Sequence, residues 1–498
     1  MKNIVASVGL LCCFQVASAQ VGIGTATPHT SAQLDISSTN KGLLMPRMSQ
    51  AQRTAITSPA TGLMVYQTDG TAGYYYYNGT AWAQLGGVSG WSLSGNGGTS
   101  SADFIGTTDA KPLSFKVEGG LAGYLSSAVN SITSFGYSAG FNNTGTHNIA
   151  FGYNALRTNT SGRFNSAVGY EAMRLNNTGS YNSAFGTFAL SNSTGDDNTA
   201  IGYAALTATT TGTDNTALGY LALRSTTTAG FNTAVGGLAL TNNTTGGQNT
   251  AVGYQTLPSC TIGTGNTIVG QGAGIGINSG SNNTGVGQHS LFDLQTGNYN
   301  TAVGVEAGPN APGLSNTTAI GYRAAPTADN TVRIGNAAVV TIGGYAAWSN
   351  LSDVRFKKDI EPEEHGLDFV MQLKPITYHM DVAGLNQHLY GKRAGALMQD
   401  ATFAKAVEAK EQVRQTGFSA QQVEKAAASI GYQFSGVHIP ENEQDHYTLE
   451  YSTFVVPLVK AVQEQQAIID GQTKKLDEQA KLLDEMKKEL ELIKSKLR

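Results

Sequence analysis

The chain has little charge, little proline and almost no cysteine. Of 498 residues, 13% are charged, 12 are proline and three are cysteine. The charges nearly cancel, 31 basic against 35 acidic, so nothing argues for a basic surface that binds nucleic acid. Scarce proline and the lack of a three-residue period exclude collagen, although 61 residues are glycine. After the first twenty residues no run is apolar enough to cross a bilayer. Cys12 and Cys13 lie in that first stretch, and Cys260 stands alone beyond it. Without residues 1–19 no intrachain disulfide can form, so stability must come from packing and assembly. No cofactor and no metal site is expected.

Residues 1–19 have the pattern of a signal peptide. Lys2 is basic, 4–16 are apolar, and Ala17-Ser18-Ala19 precede Gln20 as a cleavage site. The expected location is secreted or cell-surface, with no membrane-spanning segment once the signal is removed.

What the chain does have is repetition. Between 135 and 322 one phrase recurs twelve times, with variants such as AFGYNAL, AVGYEAM and AIGYAAL. Its glycine falls at Gly136, Gly152, Gly169 and onward to Gly321, in steps of 17 with two of 16. Such a period marks stacked units. Each unit is too short for a helical pair and fits one coil of a β-solenoid. Asn usually stands four residues before the glycine, from Asn148 to Asn300. Stacking would align these amides into a hydrogen-bonded ladder. Glycine is expected where the backbone needs positive φ or close approach. Ala, Val and Ile are expected to fill a narrow interior.

The fold expected is mainly β: a β-rich N-terminal head at 20–86, a transition segment at 87–130, and a repeat β-roll stalk at 131–349. An α+β domain at 350–450 follows, then a coiled-coil helix at 451–498. In the head, 33–36, 42–45, 62–67 and 74–77 have strand patterns, and 49–56 is a short helix capped by Ser49. Tyr74 to Tyr77 and Trp82 could form a sugar-stacking face, but alternate strand tyrosines more simply pack on a neighbouring sheet. Strands are expected at 113–117 and 121–125.

Charge rises sharply after Asn350. There lies Ser352-Asp353-Val354-Arg355-Phe356-Lys357-Lys358, then LKPITY at 373–378, GFSAQQVE at 417–424 and YTLEYSTFVVPLVKAVQ at 447–463. These four ordered blocks resemble the intramolecular chaperone auto-processing domain of phage endosialidases and tail spikes, with an insertion at 380–416. The resemblance implies a Ser-Lys dyad: Ser352 the nucleophile, Lys357 the general base, Leu351–Ser352 the scissile bond. A lysine acts as base only when desolvation or nearby positive charge lowers its pKa. Arg355 and Lys358 are the charges at hand, and Asp353 is expected to orient backbone. From spacing alone, the plainer reading is a Ser352 that caps a helix and a solvated Lys357.

The repeats resemble the head of trimeric autotransporter adhesins. The N-terminal segment resembles fibre-like proteins of Bacteroidetes-type bacteria and some phage tail fibres. In the tail, Val455, Val462, Ile469, Leu476, Leu483, Leu490 and Leu497 recur every seventh residue, the seam of a coiled coil. Both flanking resemblances imply a homotrimer.

The function expected is a secreted trimeric fibre, adhesin-like. Its C-terminal domain drives assembly and then cuts itself off before Ser352 as a removable clamp. A cell-surface glycan or protein receptor is the external partner class open to such a fibre. The alternatives are a carbohydrate-degrading tail-spike-like fibre and an inert stalk. The repeats offer few acids for glycoside chemistry. Asp196, Asp197 and Asp214 occupy turns, where aspartate usually satisfies backbone donors. A single chain is expected to leave an apolar or Gly/Ala-rich face of the coils uncovered.

Overall fold

The computed structural model describes residues 20–86, 100–109, 111–126, 131–346 and 348–497. The expected signal peptide, and 87–99, 110 and 127–130 of the transition segment, lie outside the described residues. The described chain divides into two units, one ending at Gly106 and the other beginning at Thr107.

In the first unit Val21–Ile23 pairs in parallel with Leu34–Ile36. A four-stranded sheet follows, in the order Arg47–Met48, Met64–Gln67, Gly73–Tyr77, Trp82–Gln84. Helix α1 (Gln50–Thr54) starts as its sequence dictates: Ser49 and Gln52 form a reciprocal capping box. The strand expected at 42–45 is absent; pairing begins at Arg47 instead. The tyrosines pack within the sheet. Tyr75 is buried under the Arg53 guanidinium at 3.8 Å, and Tyr74 meets Tyr66 edge-on.

The second unit is built on a fifteen-stranded sheet. Leu113–Val117 and Gly120–Leu125 form an antiparallel hairpin at one end. The other thirteen strands, from Thr133–Phe135 to Val332–Ile334, have three residues each and stack on one another in parallel and in register. At about 4.8 Å per strand the stack is about 60 Å long.

The asparagine ladder is present. Each Asn is buried, and its side-chain oxygen accepts the backbone N–H of the Asn one coil on, as from Asn249 to Asn232 and from Asn266 to Asn249, both 3.0 Å; at the last, Asn300, the donor is Thr317. Its amide donates across the turn, as from Asn249 to the Gly263 carbonyl at 2.8 Å. The repeat glycine permits the close approach. At Gly219, φ is +142°, and a Cβ would stand 2.5 Å from the Gly236 carbonyl oxygen.

One expectation is corrected. Ala fills the interior, with Ile268 taking its place in one coil, but the Val and Ile at the third position of each strand do not. Successive strand residues face opposite ways, so in Thr301–Val303 only Ala302 points in. The inner volume is completed from the following turn by Leu156, Met173, Leu190, Leu206, Leu223, Leu240 and Leu257, all fully buried. These seven hold φ between 49° and 52°. Left-handed backbone costs a non-glycine residue roughly 1–2 kcal/mol. Full burial of a leucine, about 1.5–3 kcal/mol, offsets it.

The Val, Ile and Phe side chains therefore form an exposed ladder along the outer face, including Phe151, Phe185, Leu218, Val286 and Ile320. Beside it runs a second ladder of exposed tyrosines, with Tyr137, Tyr153 and Tyr170 stacked at 5.5 and 5.1 Å. The uncovered apolar face expected of a single chain is present.

After the rod come α2 (Leu367–Val370), α3 (Val382–Tyr390), α4 (Ala394–Leu397), α5 (Ala401–Glu411), α6 (Ala420–Ser429) and α7 (Val455–Lys496). Phe369, Val423, Ala426, Ala427, Phe434 and Phe454 form the core of the C-terminal domain. The 42-residue α7 packs on α2 near its start, where Glu464 accepts the Leu367 N–H at 2.8 Å. No described helix is long and apolar enough to cross a membrane.

Candidate functional site

Residues 340–360 leave the last coil and lead into the C-terminal domain. A single 3₁₀ turn, Val354–Phe356, shapes this stretch. Its tight pitch returns the chain on itself, so a residue just after the turn meets one just before it. Lys357 closes the turn with its N–H on the Val354 carbonyl. Its ammonium donates to the Ser352 hydroxyl at 3.0 Å. The two residues expected to form a dyad are thus in contact.

Helix capping falls to Asp353, which accepts the Arg355 N–H at 2.9 Å; Ser352 is not the cap. Arg355 also grips the same carboxylate with its side chain, at 2.9 Å from Nε and 2.6 Å from Nη2. The Arg355 side chain and backbone N–H hold the Asp353 carboxyl below the usual carboxylate range. This pairing largely neutralises Arg355. Of the two charges expected to act on Lys357, that leaves Lys358, which is exposed and makes no ion pair among the described residues.

Ser352 and Lys357 are themselves exposed in the single chain, and so is Leu351. A solvated lysine is a hydrogen-bond donor, not a base. The stretch around the dyad carries an unusual load of solvent-facing apolar side chains: Tyr345, Trp348, Val354, Phe356 and Ile360, with Leu351 itself 82% exposed. Such a patch marks an interaction surface. Tyr345 and Trp348 stand outside the family motif; their signal in the sequence is the high apolar content of a segment without strand or helix periodicity.

The heptad seam stands open too. Val455, Val462, Ile469, Leu476, Leu483, Leu490 and Leu497 are all exposed, and beyond Ala461 no residue of α7 is buried. Of the turn aspartates, Asp196 acts on backbone, accepting the Ser180 N–H at 2.7 Å.

Two segments match known families. Residues 22–101 match the phage tail-like trimerisation region, and 352–432 match the chaperone of endosialidase, a match that begins on Ser352. Both agree with the resemblances read from the residues. The first supports self-association as a homotrimer, on a rod that is a mainly β solenoid. No curated protein and no solved structure matches the chain.

Proposed function

We propose that three copies of this chain form an exported fibre whose C-terminal domain drives assembly and then cuts each chain between Leu351 and Ser352. The observation that carries this reading is the 3.0 Å contact from Lys357 Nζ to Ser352 Oγ at the first residue of the chaperone match. Three open apolar surfaces support the trimer: the outer ladder of the rod, the patch around Leu351 and the heptad seam of α7. Val286, Val303 and Ile320 are each 43% exposed. Covering such a remainder is worth about 1 kcal/mol per side chain, and the ladder supplies it coil after coil. Residues 1–19 support export. A carbohydrate or protein receptor remains the external partner class of such a fibre.

Covering the 340–360 patch dries Lys357, and a desolvated amine gives up its proton. Neutral Lys357 then accepts the Ser352 hydroxyl proton. Ser352 Oγ bonds to the Leu351 carbonyl carbon, and the Ser352 nitrogen leaves, taking the proton from Lys357. The resulting ester is hydrolysed by water, leaving a Leu351 carboxylate and a free Ser352 amine. Assembly thereby gates the cut. Parallel coils form slowly and expose strand edges, so a temporary register-setting domain is useful while they stack.

The test is expression of the wild type and Ser352→Ala, read by denaturing gel and intact mass. The wild type should yield a chain ending at Leu351 and a fragment beginning at Ser352, and the variant should stay whole. A wild-type trimer that remains full length overturns the processing step.

A further inference from the structure

We propose that cutting before Ser352 does not free the C-terminal fragment, because residues 380–416 hold it on the end of the rod. This rests on the cleavage reading above and changes its consequence: the domain becomes a retained cap.

The argument starts from topology. Ile376–His379 and Arg414–Gly417 pair antiparallel, with Ile376 opposite Gly417 and His379 opposite Arg414. The 380–416 stretch is therefore one excursion out of a hairpin, carrying α3, α4 and α5. It does not join the core around Phe369. Val382, Leu397, Phe403 and Val407 are almost wholly buried in a second cluster, and that cluster includes Ala338 and, packed against it, Tyr322 and Ala337 of the rod's end. This second core therefore has members on both sides of the Leu351–Ser352 bond.

Polar contacts cross the same line. Tyr390 donates its hydroxyl to the Arg323 carbonyl at 2.5 Å, and the Arg323 guanidinium lies 5.3 Å from the Phe403 ring. Arg393 pairs with Asp293, two coils before the last full repeat, and also lies over Phe292 at 5.1 Å. Buried Thr327 donates to buried Asp445 at 2.7 Å, and Asn442 donates to the Thr327 carbonyl at 2.9 Å.

The covalent link, by contrast, is solvent-facing at Val340, Ile342, Tyr345, Trp348 and Leu351. Breaking it removes a tether and leaves the packed surface intact. The loss is one of effective concentration, from about millimolar for a short linker to that of the fragments. Three caps joined through one coiled coil recover much of it by avidity.

The experiment uses the full chain after cutting. At pH 7.5, size exclusion should give one peak holding both fragments, which separate only on a denaturing gel. Asp293→Arg, which faces Arg393 with like charge, should raise the share of free C-terminal fragment at least about tenfold. The swap Asp293→Arg with Arg393→Asp should restore retention. A wild-type fragment that elutes alone at neutral pH overturns the proposal, as does a swap no better retained than Asp293→Arg. If no cut occurs, the denaturing gel shows one band and the processing reading fails separately. A Ser352→Ala chain with a sequence-specific protease site inserted after Tyr345 then tests retention on its own, with co-elution expected and separation fatal.

Discussion

Thr327 Oγ1 donates to Asp445 Oδ1 at 2.7 Å, joining the last coils of the rod to a residue 118 positions later. Asp445 also meets His438 Nε2 at 2.6 Å, and its backbone carbonyl lies 3.3 Å from His388 Nε2. A buried carboxylate at a seam is stable only when so many groups face it.

These contacts make the seam acid-sensitive. Burial, then the positive charge of Arg333, pushes His446 below its ordinary 6.5, with Asp445 opposing and His388 and His438 adding to the shift. A histidine kept neutral in the fold stabilises above 6.5, and that contribution is lost as pH falls below it. Burial also works against the charge on Asp445, but hydrogen bonds from Thr327, the Glu441 N–H, His438 and the His446 N–H win and lower its pKa. Its contribution is present above the ordinary 3.8 and lost below it. The C-terminal domain should therefore loosen from the rod at pH 5.5 and more steeply below pH 4. Apparent melting midpoints at one scan rate check this, and His446→Asn should flatten the first step.

Lys357→Arg separates base from charge. A guanidinium keeps the charge but stays protonated, so it cannot take the Ser352 proton. Cutting should slow at least about a hundredfold while light scattering still reports a trimer. Time courses on a denaturing gel measure it, and cutting at the wild-type rate would remove Lys357 from the role.

Two glycines should answer alanine with opposite signs. Gly219→Ala drives a Cβ to 2.5 Å from the Gly236 carbonyl, so the coil must open and the unfolding rate rise. Gly471 sits inside α7 with nothing within 4 Å of a Cβ. Gly471→Ala should strengthen the helix by about 1 kcal/mol per chain. Circular dichroism at fixed heating rate reads both.

Leu483→Asp places a charge in the heptad seam, where Leu483 is 53% exposed in the lone chain. It should reduce trimer by size exclusion with light scattering, and cutting should fall in parallel. Undiminished cutting in monomers would break the link between assembly and the dyad.

Much of this molecule is written locally. The 17-residue period, the Asn ladder, the repeat glycines and the Ser49 cap follow from spacing alone, because each depends on neighbours at a constant offset. The approach of Lys357 to Ser352 is equally local, made by one 3₁₀ turn within six residues, but spacing alone favours a capping Ser352 and a solvated Lys357, and the pairing is what the family resemblance implies. Three features were decided only in three dimensions. A three-residue strand is too short to display alternation, so the outward turn of Val303 and Ile320 was not legible. The pairing of Arg355 with Asp353 diverted a charge expected on Lys357. The docking of 380–416 on the rod joins residues 67 to 100 positions apart, and contacts at such separations leave no period in a sequence. Local chemistry determined the rod and the meeting of Lys357 with Ser352; long-range burial decided what docks on the rod's end.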